Sequence, residues 1–297
     1  TDGGRKWTKL GGGLPAGRIG RIGLDLYQAK PDILYAVVED ANPRPPTAQE
    51  AKRDAARPKP SEFVAGNHVY RTDDGGRTWR RTHAEALSIG SKAAYSFNIL
   101  RVDPGDPEHV VVLSDAMPNS SDGGRTWQGT SWPPKGMFEK AFGDFRVMWW
   151  DQQNPNRILV GSDGGFYISY DRGRTADHYM NIPVGEFYAV DADMADPYNV
   201  YGGMQDHDSW KGPSNSWSGE VNLADWITVG TGDGMYNRVD PTDARWLYNT
   251  SQFGDHRRVD QVLRTMTDIM PRRPKGQPAL RWNWNTPLVL SPHNPQI

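Results

Sequence analysis

The sequence contains no cysteine among its 297 residues. Disulfide bridges, thiol nucleophiles and cysteine-ligated metals are therefore excluded. The compartment stays open, because a protein can be exported without any disulfide.

Long hydrophobic runs and a strong net charge are also missing. No stretch approaches the roughly 20 apolar residues of a membrane span, and mean hydropathy is -0.73. A net charge of -2 gives no bulk attraction to DNA or to anionic lipid. We therefore expect a water-soluble globular protein with no membrane span and no nucleic-acid partner.

The chain opens inside a phrase, "TDGGRKW", without an initiator methionine. We expect it to be cut at both ends from a longer protein, with any targeting signal upstream.

Glycine and proline are abundant, at 32 and 23 residues, and they fall singly between short apolar runs. This distribution indicates many turns and few long helices. The length suits one large domain or two small ones.

The phrase "SSDGGRTW", from Ser120 to Trp127, recurs in similar form along the chain. Its aspartate aligns at four positions: Asp2, Asp74, Asp122 and Asp171. The spacings of 72, 48 and 49 residues indicate a repeat of nearly fifty residues with one long insertion. Four copies cannot all be active sites, and a repeat of this length is typical of propeller blades or solenoid units.

A second phrase confirms the period independently, in stretches such as "VDPGDPEHVVVL" and "WDQQNPNRILVG". Its last turn position falls at Pro31, Pro107, Pro155, Pro197, Ala244 and Pro295. Each copy predicts a short strand, an Asp/Pro turn and a second strand, and each aspartate phrase predicts a strand, a glycine-bearing hairpin and a strand.

The predicted fold is all-β: a β-propeller of four-stranded blades spanning residues 1–297, with five complete blades between two fragments. We expect seven blades in the complete ring, and six remain possible if the fragments pair into one. Helical repeats are the less favoured alternative, because β-branched and aromatic residues alternate and helical periodicity is scarce.

The long insertion covers Glu39 to Phe63, a stretch of proline, alanine and charged residues. It predicts a loop that protrudes from its blade, with one helical turn at Ala48 to Ala55. The loop could be a lid, a docking arm or a solvated excursion.

The chemistry of the aspartate phrase indicates a structural role. The carboxylate can accept backbone N–H groups of the following turn, glycine adopts a positive φ, and the hydroxyl caps the turn. We expect the tryptophans, Trp7, Trp79 and Trp127, to pack between neighbouring blades.

These phrases resemble the Asp-box or BNR repeat of sialidases, sortilin-type propellers and tandem-propeller xyloglucanases. Beyond the boxes, "GSDGGFYISYDRGRT" and "VGTGDGMYNRVDPTDARWLYNTSQFG" resemble large exported bacterial BNR or sortilin-like glycosyl hydrolases. The resemblance implies a propeller fold and an extracytoplasmic location. The sialidase residues, an Arg triad with a Tyr/Glu pair, cannot be placed.

Candidate site residues are the glycine-flanked acids that follow second strands, because a propeller binds ligands where its loops converge. They are Asp163, Asp206, Asp208 and Asp233. In the xyloglucanases that this chain resembles, a catalytic aspartate has a setting similar to "GSDGGFY", so the resemblance makes Asp163 the catalytic candidate. Ordinary turn chemistry is the alternative.

Further binding candidates are aromatic side chains and one histidine: Trp210, Trp226, Phe253, Trp282, Trp284 and His207. The phrase "WNWN" predicts a strand with Trp282 and Trp284 on one face. No metal site is predicted, because His207 has no second histidine at ligand spacing and the "DADMAD" stretch lacks the glycine and glutamate of a calcium loop. No cofactor is predicted.

The leading functional hypothesis is an extracytoplasmic binding or scaffolding module for a protein or polysaccharide partner, joined by a further propeller from the same gene product or a partner chain. The alternative is an endo-acting, inverting glycoside hydrolase in which Asp163 is one carboxylate and another propeller supplies the second.

Overall fold

A computed structural model describes residues 2–55, 62–84, 86–130, 135–182, 184–291 and 293–294. The chain forms two compact units, residues 1–182 and 183–297, and each is described by itself. The single propeller over residues 1–297 stays a prediction.

The described residues of the first unit form three antiparallel sheets whose strands pair in chain order. The first sheet comprises β1 (Ile19–Leu26), β2 (Leu34–Pro43), β3 (Val64–Thr72) and β4 (Arg80–Arg81). The second comprises β5 (Ile99–Asp103), β6 (Asp106–Leu113) and β7 (Asn119–Ser120), and Gln128 adds a single bridge to Asn119. The third comprises β8 (Phe145–Trp150), β9 (Ile158–Ser162), β10 (Gly165–Ser169) and β11 (Asp177–Tyr179).

In the second unit, the part of the chain that the structure describes forms two four-stranded sheets of the same kind. The fourth sheet comprises β12 (Ala189–Ala192), β13 (Asn199–Gly203), β14 (Ser209–Pro213) and β15 (Ile227–Gly230). The fifth comprises β16 (Asn237–Val239), β17 (Trp246–Ser251), β18 (Asp255–Asp260) and β19 (Thr265–Asp268). Short 3-10 helices lie at Leu223–Asp225 and Gln252–Gly254.

The protein is all-β, of the β-propeller class, and the alternative of helical repeats is wrong. Among the described residues the α-helical content is one segment, α1 (Ala48–Asp54). No helix in the described part of the chain is long and apolar enough to cross a membrane. The total number of blades stays a prediction.

The two sequence phrases occupy fixed places in the sheets. The Asp/Pro turns join the first and second strands, as predicted for Pro31, Pro155 and Pro197. Pro107 differs, because it is the second residue of β6, where the ladder with β5 breaks between Val102 and Asp103. Pro295 lies outside the described residues.

Three of the aspartate phrases, at Asp74, Asp122 and Asp171, form tight turns after the third strands. In the second sheet Asp122 accepts the backbone N–H of Thr126 at 2.9 Å and the hydroxyl of Thr126 at 2.7 Å, while Ser120 accepts the backbone N–H of Gly124 at 2.9 Å. Asp74 and Asp171 make the same contacts in their sheets. Backbone and side-chain hydrogen bonds from Thr175 lower the pKa of Asp171 to about 2. The carboxylates are held by their own turns.

The three tryptophans of the phrase pack differently. Trp127 packs against the core shared by the first and second sheets, as predicted. Trp79 instead packs on its own sheet, against Ala36, Val38 and Tyr70. The prediction is wrong for Trp7, which is 87% exposed, because its phrase precedes β1 and no described sheet covers it.

A recurring tyrosine–cation pair links neighbouring sheets. Tyr35 on β2 pairs with Arg71 on β3, and its hydroxyl donates to the carbonyl of Pro107 in the second sheet at 2.8 Å. Tyr201 on β13 pairs with Lys211 on β14, and its hydroxyl contacts Gln261 at the end of the fifth sheet. Both tyrosines are buried, so each anchors its sheet to the next.

The predicted insertion is partly an extension of the first sheet, because β2 continues to Pro43. The predicted helical turn is confirmed as α1. Thr47 and Glu50 form a capping box at its start, and Arg44 forms an ion pair with Glu50 at 2.8 Å. Arg44 also donates to the carbonyl of Val64 at 2.9 Å, which fixes the helix to the start of β3.

Candidate functional site

Each sheet has two ends along the strand direction, which we call its edges, and different loops lie at each of them. In an antiparallel meander the turns after strands one and three lie at one edge, and the loops after strands two and four lie at the other. The aspartate phrases occupy the first edge. Asp163, Asp206, Asp208 and Phe253 occupy the second edge of their sheets, which we call the loop edge. Asp233 follows β15, a fourth strand and not a second strand as predicted, but it also lies at the loop edge.

In the first unit, Asp163 is held by an arginine. The guanidinium of Arg146 donates from Nε and Nη2 to the two carboxylate oxygens of Asp163, both at 2.9 Å. Arg146 stacks over the ring of Phe97 at 4.2 Å and lies 3.7 Å from the carboxylate of Asp144. Sequence reasoning missed this arginine.

This arrangement gives two carboxylates at one loop edge. A carboxylate oxygen of Asp144 lies within 4.8 Å of a carboxylate oxygen of Asp163. Inverting hydrolysis uses carboxyl groups about 6.5–9.5 Å apart, so Asp144 is too close to serve as the second carboxylate. The catalytic role of Asp163 stays a prediction.

In the second unit, Asp233 is a buried anchor for the loops around it. Its carboxylate accepts the backbone N–H of Asp206 at 2.8 Å and the amide of Gln252 at 2.7 Å. Asp208 accepts the backbone N–H of Gly232 at 3.0 Å. These bonds fix the loops from β13, β15 and β17 relative to one another.

Three residues of these loops have left-handed backbone conformations without being glycine. Their φ angles are 59° at Asp206, 65° at Asp208 and 59° at Phe253. Such conformations are uncommon for non-glycine residues and persist where the surrounding structure holds the backbone in place. The ring of Phe253 is thereby presented at the loop edge, 55% exposed.

Phe253 belongs to an exposed group of three aromatic residues that we call the aromatic surface: Tyr188, Phe253 and Trp284. Trp284 stands edge-on to Phe253, with ring centroids 5.2 Å apart, and is 40% exposed. Its indole N–H contacts the hydroxyl of Tyr188 at 3.3 Å, and Tyr188 is 39% exposed. The backbone N–H of Phe253 donates to the carbonyl of Trp284 at 3.1 Å.

Gln205 adds a polar group beside this surface, because the hydroxyl of Tyr188 donates to its side-chain carbonyl. Tyr188 and Gln205 were missed by sequence reasoning. A usable signal for Tyr188 exists in the repeat: Asn98, Arg146 and Tyr188 each follow a phenylalanine and precede a turn aspartate by five residues.

The other aromatic candidates pack closely onto the protein. Trp282 lies over Gly254, with its ring 5.5 Å from His256. Trp226 lies over Gly212, with its ring 6.1 Å from Phe187. The segment that contains Trp282 and Trp284 is not a strand, so the predicted common face is wrong.

The loop after β13 is closed by contacts within itself. The indole N–H of Trp210 donates to the carbonyl of His207, and Nδ1 of His207 lies 3.0 Å from the carbonyl of Gln205. The binding roles of these two residues, of Trp226 and Trp282 and of the acids stay predictions.

No protein-family model matches the chain, and no curated protein matches it. Solved structures do show similarity. A GH74 enzyme from Niastella koreensis has a TM-score of 0.38 and 14% identity, over 83% of this chain and 37% of that one. A GH74 xyloglucanase from Xanthomonas campestris has a TM-score of 0.36 and 16% identity, over 83% of this chain and 38% of that one.

YCF48 from Cyanidioschyzon merolae has a TM-score of 0.32 and 14% identity, over 83% of this chain and 84% of that one. For each of the two GH74 proteins, the chain spans less than two fifths of the length. Similarities of this size transfer no activity, ligand or site to the chain.

Proposed function

We propose that this chain is a binding module and that its ligand is a polysaccharide held on the aromatic surface. The observation that carries the proposal is the group of Tyr188, Phe253 and Trp284, exposed together at one loop edge. Aromatic faces stack on sugar rings and exclude water from them, while hydroxyl and amide groups bond to sugar hydroxyls.

Rigidity supports this proposal. The backbone of Phe253 is bonded to that of Trp284, and the neighbouring loop is bonded to Asp233. A surface that is already ordered loses little conformational entropy when it binds, so more of the contact energy appears as affinity. By its resemblance to exported propellers, we expect the module to act outside the cytoplasm and to be linked to a further propeller.

The test is a pair of separate variants, Trp284→Ala and Phe253→Ala. Binding would be measured by affinity gel electrophoresis against xyloglucan, hydroxyethylcellulose and polygalacturonate. We expect each variant to bind at least about fivefold more weakly, since truncation of an interface aromatic costs over about 1 kcal/mol.

Trp217→Ala is the matched control, because Trp217 is fully exposed and makes no ring contact with the described residues. We expect it to bind like the parent. The proposal would be contradicted if none of the three polysaccharides retarded the parent, or if the Trp217 and Trp284 variants lost equal affinity. Binding of a polypeptide at the same aromatic residues would show that the ligand is a protein and not a polysaccharide.

A second candidate is glycoside hydrolysis through Asp163, whose carboxylate lies at a loop edge, with a further propeller supplying the second carboxylate about 6.5–9.5 Å away. It predicts that reducing ends released from xyloglucan fall to background in Asp163→Asn, while Asp115→Asn keeps full activity. Asp115 is exposed in the equivalent loop of the second sheet. If the parent chain joined to its further propeller released no reducing ends from xyloglucan, this candidate would be ruled out.

A further inference from the structure

The last 29 residues of the sequence, 269–297, contain no aspartate or glutamate. They carry four cationic residues, Arg272, Arg273, Lys275 and Arg281, in a chain whose net charge is -2. We call residues 271–281 the basic segment. Positive charge is therefore concentrated in the basic segment, directly after β19, while the chain as a whole has a negative net charge.

The basic segment is open to solvent. All residues from 271 to 279 are exposed, as is Arg281, and the segment forms no helix or strand. Prolines at positions 271, 274 and 278 disfavour both kinds of structure. The cationic side chains are therefore available to a partner along an irregular stretch of chain.

Three of the four cations form no ion pair with the residues that the structure describes. Arg272 forms an ion pair with Asp268, and Arg273 contacts the amide oxygen of Gln277 at 3.5 Å. Lys275 and Arg281 form no ion pair with any residue in the described part of the chain. Their charges are left for an external anion.

The basic segment leads directly into the aromatic surface. Arg281 precedes Trp284 by three residues, so their Cα atoms lie within about 10 Å of each other. One ligand can therefore meet an aromatic ring and a guanidinium together. A guanidinium matches a carboxylate in two parallel hydrogen bonds.

We propose that the polysaccharide bound by this chain is acidic, with its sugar rings on the aromatic surface and its carboxylates on the basic segment. This inference rests on the proposed function. Single-stranded nucleic acid also combines rings with anions, but Phe253 and Trp284 stand at 88° and do not form a parallel stack for successive bases.

The experiment compares three probes: polygalacturonate as the acidic glycan, hydroxyethylcellulose as a neutral glycan, and an oligo-thymidylate. The variant is Lys275→Gln combined with Arg281→Gln. The matched control is Lys6→Gln combined with Lys9→Gln, which removes the same charge from exposed positions in the first unit. Binding would be titrated from about 50 mM to about 500 mM NaCl.

We expect the parent to prefer polygalacturonate, and to lose that preference at high salt. The variant should bind polygalacturonate about tenfold more weakly at low salt, with unchanged binding to hydroxyethylcellulose, and the control should match the parent. Trp284→Ala should weaken both glycans.

Equal affinity of the parent for the two glycans, or an unchanged affinity of the variant for polygalacturonate, would overturn the inference. Tighter binding of oligo-thymidylate than of polygalacturonate would also overturn it. If Trp284→Ala lost binding to both glycans but the parent showed no preference for polygalacturonate, the acidic ligand would be refuted and the glycan-binding function would stand. Failure of the parent to bind either glycan would refute both.

Discussion

Replacement of Arg71 by methionine is expected to lower the free energy of unfolding by about 2 to 3 kcal/mol. The Arg71 guanidinium is buried and joins two sheets: it pairs with Asp73 at 2.7 Å in its own sheet and with Glu108 at 2.5 Å in the second. It also donates to the hydroxyl of Tyr35 at 2.7 Å. The partner carboxylates are partly exposed, so water recovers part of the loss and the expected effect lies below that of a fully buried pair.

Arg80→Met is the control for this prediction. Arg80 contacts the same carboxylate, that of Asp73, at 3.3 Å, but its side chain is half exposed. We expect it to change the free energy of unfolding by less than about 0.5 kcal/mol. Urea denaturation followed by tryptophan fluorescence measures both variants. Equal effects of the two would show that Arg71 acts only as a surface charge.

Acidification from about pH 6.5 to about pH 4.5 is expected to remove about 2 kcal/mol of stability through His83. The ring is buried between the first sheet and Trp127. Its Nε2 accepts the backbone N–H of Val69 at 3.0 Å, and its Nδ1 lies 3.0 Å from the carbonyl of Ala84. Because Nε2 must accept and Nδ1 must donate, both contacts require the neutral ring, and a second proton would face the Val69 N–H.

Burial lowers the pKa of His83 to about 4. The nearby His68 ring and the Arg81 guanidinium also lower this pKa. The unfolded chain, with an ordinary histidine pKa near 6.5, therefore binds the proton first. The stabilising contribution is fully present above pH 6.5 and is lost as the pH falls toward the folded-state pKa.

Urea denaturation at several pH values would measure this loss between about pH 6.5 and about pH 4.5, a lower limit chosen above the ordinary aspartate pKa near 3.9. In His83→Gln the pH dependence over this interval should disappear, and His178→Gln, at an exposed position, should keep it. A pH dependence in His83→Gln as steep as that of the parent would contradict the assignment.

The repeat and the turns were predictable because their interactions are local. Asp122, Ser120 and Thr126 bond to one another within seven residues, so the sequence alone specifies the turn wherever the phrase occurs. The period of nearly fifty residues predicted repeated antiparallel units, and the described residues form four sheets of four strands and one of three. The number of blades stays a prediction. The helical turn in the insertion was predictable for the same reason, since its cap lies in Thr47 and Glu50.

Contacts between distant parts of the chain were decided only by the tertiary structure. The sequence proposed Phe253 and Trp284 as separate binding residues, but only the fold places them beside Tyr188, about sixty residues upstream of the first of them. Equally, the same phrase places Trp127 in a core between sheets and leaves Trp7 exposed. The physical reason is that burial depends on which sheet lies opposite a side chain, and the residues near it in sequence do not determine that neighbour.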